Sequence, residues 1–364
     1  MSDKAYKEGR PNQFKIFLAL TRRNLMVFLK NVPIVFFTLM VPIAILAVYA
    51  LFLRPMEISQ IKQTLNSYLP SPIDINNEAD ALLLRKLYGI TDCWMMSGIL
   101  SVSCITVSLN SNYIMVKDKE NDVAKDMISS PISSKTIMFS YFAFNIIITF
   151  VAIFIVYILC LLWLFCYKAY MITALDFFAI LGVLLLSIIS AALLNFFIAS
   201  FIKTDSVLST VVAIVSAAVG FLIGAYLPDS MLPSSIKTLT AFFPGTYSTT
   251  LLRNYFMQTP LGLVSTDLIS RGISESFISE FTQMFGFKID FFGISIEPPM
   301  MAVVIVIFIA IFLVLNFIFT SKNVFKGFFL NSKNKEKRKL LVNNLNVYNS
   351  IKLNEKEKIE DEIK

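Results

Sequence analysis

The stretch KDKENDVAKDMISSPISSK, Lys117 to Lys135, sets four lysines, three aspartates and one glutamate between two long apolar runs. Leaving those charges in lipid costs roughly 20 kcal/mol or more even on the lenient translocon scale. The island therefore sits in water. Reading outward from it for charge-free segments of at least about 18 residues finds six: Pro33 to Leu53, Cys93 to Val116, Thr136 to Tyr167, Phe177 to Ile202, Ser206 to Pro228 and Pro298 to Ser321. Each is long enough to cross a bilayer as a helix, and the third exceeds what a span requires, which predicts tilt or projection.

Composition agrees, because 56% of the 364 residues are hydrophobic and only 16% charged, too apolar for a chain whose whole surface must be wetted. The expected fold is an all-α integral membrane protein of six transmembrane helices. Its 34 phenylalanines lie mostly in the apolar runs, where they report lipid contact and helix packing. The first run follows 32 polar, basic residues, unlike a cleavable signal peptide, so the N-terminus is expected to be retained. With that terminus inside, the inner segments hold 23 lysines and arginines against 9 in the outer ones, which predicts both termini in the cytosol. Abundant Lys, Asn, Ile and Phe suggest an AT-rich genome and a bacterial plasma membrane. The expected division is a cytosolic segment 1–32, a membrane domain 33–321 with an inner loop 117–135 and an outer loop 229–297, and a basic, mixed-charge cytosolic tail 322–364.

Several chemistries are excluded. Without histidine the chain has no Ser-His-Asp triad and no H-E-x-x-H zinc helix. Cys93, Cys104, Cys160 and Cys166 lie in or beside apolar runs without C-x-x-C spacing and read as small packing residues. No glycine precedes a lysine, so no phosphate-binding G-x-x-x-x-G-K-[ST] loop exists. No catalytic, metal or cofactor site is expected in this chain, and ATP, if used, is bound elsewhere. The runs hold no ionisable residue of the kind that marks ion-coupled carriers. A path lined by apolar, aromatic and hydroxyl groups suits amphipathic cargo better than a bare ion.

Within the island, Asp118 to Ser130 has helix-forming composition. Val123, Met127 and Ser130 share a strip with Ala124 and Ile128 beside it, Pro131 stops the helix, and Ser133 or Ser134 caps the next. A short helix with an apolar strip in a bipolar charged surface suits a partner's groove; a solvated loop is the plain alternative. The N-terminal segment is also amphipathic, with Phe14, Phe17, Leu18, Leu25, Phe28 and Leu29 on one face and Lys15, Arg22, Arg23 and Lys30 on another arc, as for a helix lying in the membrane interface.

In position and charge, with Glu120 and the exit Pro131-Ile132-Ser133, the island resembles the first intracellular coupling loop of type-2 ABC transporter permeases, Val123-Ala124 standing where that family has Gly-Thr. Between spans five and six, FFPGTYSTTLLRNYFMQ resembles the family's P-x-x-Y-x-x-x-x-x-R, met by Pro244, Tyr247 and Arg253. The resemblance implies an interfacial elbow helix, a coupling helix, and a re-entrant outer hairpin between spans five and six. SSIKTLTAFF and YSTTLLRNYFM, each too short to cross, would form its arms around PGT. It also implies an exporter subunit working with two ABC ATPase subunits that carry ATP and Mg, a second permease half identical or homologous to the first, membrane lipid, and no nucleic acid.

On that reading Asp118, Glu120, Asp122, Val123, Lys125 and Met127, with Lys203 and Asp205 from the next inner loop, form the ATPase-coupling surface. Pro244, Tyr247 and Arg253 form an outer gate, Arg253 facing headgroups, capping carbonyl ends or gating. Ser216, Gly220 and Gly224, four residues apart, offer a close-packing stripe within the subunit or across a dimer. The expected cargo is a drug, an antimicrobial peptide or a lipid-linked molecule. Two other classes stay open: a six-span secondary transporter or channel, with Pro42 as a helix break, and a membrane enzyme using Asp229, Glu275 or Glu280. A further amphipathic helix is expected from Ser265 to Gly286.

Overall fold

The computed structural model describes residues 12–68, 77–130, 132–169, 171–226, 233–276, 279, 285–291 and 294–320. The tail after 320, Pro131, Asp229 and Glu280 lie outside the described residues. Helix α1, Gln13–Lys30, starts at Asn12, whose side chain accepts from the Phe14 N–H. Helix α2, Val32–Val48, carries Pro42 without interruption, so that proline is no helix break, and it passes through a π-turn at Tyr49–Leu53 into α3, Arg54–Tyr68. Helix α4, Glu78–Ser111, is capped by Asn77 and bears Glu78 and Asp80 in its first turn, where the helix dipole favours acids. Two short helices follow, α5 at Tyr113–Glu120 and α6 at Val123–Ser129. Then come α7, Ser134–Cys166; α8, Ala174–Phe201, opened by a Thr173/Asp176 capping box; and α9, Asp205–Leu222. Helices α10, Ser234–Thr240, and α11, Pro244–Ser270, precede an antiparallel hairpin of β1, Ile289–Phe291, and β2, Ile294–Ile296, before α12, Pro298–Leu315.

Among the described residues six helices are long and apolar enough to cross a membrane, and each overlaps one of the six apolar runs in order, the fifth helix stopping at Leu222, short of the end of its run. Among them α4 is the hub. Its spanning window is 94% buried, against 17% for the spans through α2 and α9 and 11% for α12, so three outer helices present apolar faces to lipid or to another chain. Small side chains let α4 occupy the centre: a Cβ on Gly98 would stand 2.6 Å from the Ala225 carbonyl oxygen, and one on Gly89 3.1 Å from that of Ala169. At 34 residues α4 is about 50 Å long, so it outreaches the roughly 30 Å hydrocarbon core. Its projecting start is tied to the end of α11 by Lys86–Asp267 at 2.6 Å and by Arg271–Asp80.

Three expectations are corrected here. The interior is not free of charge, because Arg54 and Asp92 each sit one residue beyond an apolar run and meet inside the bundle, where Asp92 is fully buried. The segment after Pro244 is not a short arm but a 27-residue helix that runs through Pro260 and absorbs the start of the helix expected at Ser265. It ends at Ser270 with Arg271 as its cap, and Gly272 follows at φ 85°, a left-handed backbone that suits glycine. A β-hairpin with register Ile289↔Ile296 then lies in what was read as plain outer loop.

Candidate coupling surface

At one end of the bundle the chain leaves α4 through Asn112 and enters α5 almost without a break. The single helix expected from Asp118 to Ser130 is in fact two. Asn121 is exposed, and Asp122 takes φ 64°, the left-handed conformation that aspartate tolerates better than most residues. That residue turns the chain so that α6 starts in a new direction, and its carboxylate holds Lys125 at 2.9 Å.

Three consecutive side chains at the end of α5 reach three different partners. Asp118 accepts from Arg23 on α1, its other oxygen taking a second guanidinium bond at 2.9 Å, and from the Tyr141 hydroxyl on α7. The hydrogen-bonded carboxylate raises the Arg23 pKa above its ordinary value, outweighing the opposing effect of burial. Lys119 donates to the carbonyls of Ala199, at 3.1 Å, and Ser200, at 3.2 Å, in the last turn of α8. Glu120 accepts from the Asp205 N–H, at 3.1 Å, where α9 begins. Lys117 adds a longer pair with Asp205 at 3.9 Å. On the far flank Gln13 of α1 accepts from Thr136, at 2.9 Å, and from the Ser133 N–H, at 3.3 Å.

The expected coupling residues thus gather at one end of the bundle but are not equally exposed. Asp118 is buried, so its carboxylate braces α1 and α7 and offers nothing outward, a correction to its expected role. Arg23 likewise leaves the lipid-facing basic arc, while Phe14, Leu18 and Leu29 remain exposed. Met127 is half-buried with its sulfur 3.8 Å from the Tyr141 hydroxyl, and Ala124 is buried, so the apolar strip packs onto this chain itself. Val123, Asp122, Lys125 and Asp205 are half-buried; Asn121, Asp126, Ser129 and Lys203 are exposed. The sequence reading missed Arg23, Tyr141 and Lys119 as partners, because pairs 95, 23 and 80 residues apart leave no local spacing to detect.

At the opposite end Pro244, Tyr247 and Arg253 all lie on α11 and are buried. Pro244 occupies the first turn, where its missing N–H has no helical partner to lose. Arg253 donates to the carbonyls of Gly224, at 2.6 Å, and Ala225, at 3.3 Å, just past the end of α9, and its guanidinium carbon stands 4.8 Å from the Trp94 ring centre. Gly220 and Gly224 are accounted for within this chain. A Cβ at Gly220 would fall 1.9 Å from the Tyr226 ring, and Gly224, at φ 64°, closes the end of α9 with Ala225 N–H bonded to the Gly220 carbonyl at 2.8 Å. Ser216 is half-buried. Between α4, α8 and the start of α11 lies a small recess of about 10 Å³, room for about one water, lined by Ser101, Ser187, Ser190 and Ser248 together with Ile105 and Leu194.

This layout meets an independent comparison with known families. The family model of the ABC-2 type transporter matches residues 15–257, two thirds of the chain and the whole stretch from α1 to the middle of α11. The chain belongs to that family. No curated protein matches it. It is an ABC-type transport permease, a multi-pass membrane protein of a family that typically pairs with ATPase subunits. Within it α5 and α6 are the helices that join the second and third spans.

Proposed function

We propose that this permease is the membrane half of an ATP-driven exporter, and that a separate ATPase docks on the face formed by Asn121, Asp126 and Ser129, with Lys203 beside it. The observation that carries the reading is α6 itself: a seven-residue helix redirected at left-handed Asp122 and packed inward through Ala124 and Met127. Its outward side is polar, and polar complementarity sets register and orientation between partners. On this reading the end bearing α5 and α6 faces the cytosol, two ATPase subunits serve two permease halves, and ATP and Mg reside on the partner. Asp126→Lys combined with Lys203→Glu reverses charge on the docking face without touching a buried group. Copurification of the ATPase from the source membrane should fall at least about fivefold, since reversing rim charges costs about a kcal/mol or more; full retention of partner and of ATP hydrolysis sinks the assignment.

The outer hairpin acquires a definite form on the same reading. Ser101 donates to the Gly245 carbonyl at 3.3 Å, Trp94 faces Arg253, and Lys86 pairs with Asp267, so α11 runs antiparallel to α4. Ser101 lies eight residues, about 12 Å, inside the second apolar run. On this reading α11 starts within the membrane and rises out of it, and α10 is assigned as the descending arm. The cargo on this reading is a drug, peptide or lipid-linked molecule, because the six apolar runs offer apolar, aromatic and hydroxyl groups and no charged residue.

A further inference from the structure

Residues of a helix advance about 100° per position, so Asp118, Lys119 and Glu120 point in three directions, and each direction holds a different element. The second and third contacts share a logic that the first lacks. Lys119 places its ammonium on carbonyls of the last turn of α8, and Glu120 places its carboxylate on the first N–H of α9. Such end groups lack the regular i±4 helical partner, the Ala199 carbonyl taking the Ile202 N–H at 3.1 Å beside Lys119, and each charge has the sign that the local end of the helix dipole attracts. Exchanging the two residues would set like against like at both ends. Only Ile202, Lys203 and Thr204 separate the two helices.

We infer that Lys119 and Glu120 are positioning residues that clamp the facing ends of spans four and five to α5, so that displacement of α6 moves α8 and α9 as one body. Asp118 extends the same body to α1 and α7 through Arg23 and Tyr141. The clamp is a property of this chain; only the cause of the displacement rests on the ATPase reading above. It makes the short inner link between spans four and five a passenger of α5 and not a second lever.

Hydrogen exchange on the full chain in lipid nanodiscs tests the clamp without any partner. Glu120→Ala should speed exchange of the Asp205 amide and the first turn of α9 about fivefold, and Lys119→Met should do the same for the last turn of α8. Lys119→Arg should restore near-native exchange. The swap Lys119→Glu with Glu120→Lys should exceed the pair of neutral changes at both ends, which a packing role does not predict. Unchanged exchange in the single variants, or a swap no worse than the neutral pair, overturns the clamp. The relay is read in source membranes by ATP-dependent maleimide labelling at Phe221→Cys, exposed near the far end of α9, in a chain with Cys166→Ser. In Lys119→Met/Glu120→Ala the ATPase should still copurify while the effect of ATP on labelling is lost. Persistence of that effect with the clamp broken overturns the relay, whereas loss of copurification only in the Asp126/Lys203 variant separates docking from clamping.

Discussion

Replacing Arg54 by methionine isolates the buried carboxylate of Asp92. In the native chain Asp92 accepts three bonds: from Arg54 Nε at 2.7 Å, from Arg54 Nη2 at 3.1 Å and from the Tyr49 hydroxyl at 2.8 Å. The guanidinium carbon also stands 4.4 Å from the Tyr167 ring centre, with Tyr88 and Trp163 at 5.8 Å, so the pair is walled by aromatic rings and shielded from solvent. Methionine refills most of the volume but leaves a carboxylate with one neutral donor. Removing one partner of a buried pair costs about 3–5 kcal/mol, which is at least about a hundredfold in the folding equilibrium. Tyr49→Phe deletes one of the three bonds and should cost only about 1–2 kcal/mol. Arg54→Met/Asp92→Leu leaves no charge to desolvate and should be more stable than Arg54→Met alone. Unfolding of these three variants and of Asp92→Leu in mixed micelles, followed as SDS is titrated, gives the four free energies. A double variant whose cost equals the sum of its single changes to within about 0.5 kcal/mol refutes the coupling and with it the claim that this pair is buried.

Three further outcomes follow from the packing. Gly98→Ala, whose new methyl meets a backbone oxygen at 2.6 Å, should lose about 1–3 kcal/mol of stability, while Gly182→Ala, with nothing within 4 Å, should be neutral or gain up to about 1 kcal/mol in the same SDS titration. Gly220→Ala should lower the thermal midpoint because of the Tyr226 ring, and adding Tyr226→Ala should recover most of the loss. Arg253→Met leaves the Gly224 and Ala225 carbonyls without their donor and should cost about 2–3 kcal/mol; Arg253→Lys, lacking the planar fork, should recover only part of it, as thermal unfolding will show.

The spans were legible because lipid imposes a one-dimensional rule: a long run without charge has one stable home. The same rule hid Arg54 and Asp92, each one residue outside a run, because two charges that neutralise each other across 38 residues leave no mark in a window scan. Asp118 was legible as charged but not as buried, since its role depends on Arg23 and Tyr141 arriving from helices on either side of it in sequence. Helix α11 was misread as short because its hydroxyls and Arg253 dilute its hydropathy, and only packing against α4 reveals one continuous element. Gly220 and Gly224 show the converse. Their fourfold spacing fits a helix–helix stripe, yet one glycine admits a tyrosine ring and the other ends a helix.

The two ends of α4 show why a permease of this family can be stiff and still respond. At the end where it begins, α4 is bound to α11 by Lys86–Asp267 and Arg271–Asp80 and shares the Arg253–Trp94 contact, so α4, α11 and the end of α9 form one block. At its other end α4 continues through α5 into contacts with α1, α7, α8 and α9 within three residues. On the coupling proposed above, a force on α6 meets no soft loop before it reaches the spans, because the redirection at Asp122 is a single residue and the helix beyond it is packed through Ala124 and Met127. The least buried spans are α2, α9 and α12. Of these, among the described residues, only α9 is held at both ends by charged side chains from elsewhere in the chain, Glu120 at its start and Arg253 just past its end. On the same reading α9 is the span whose tilt is set jointly by the two blocks, so a shift of one block against the other is to be sought there.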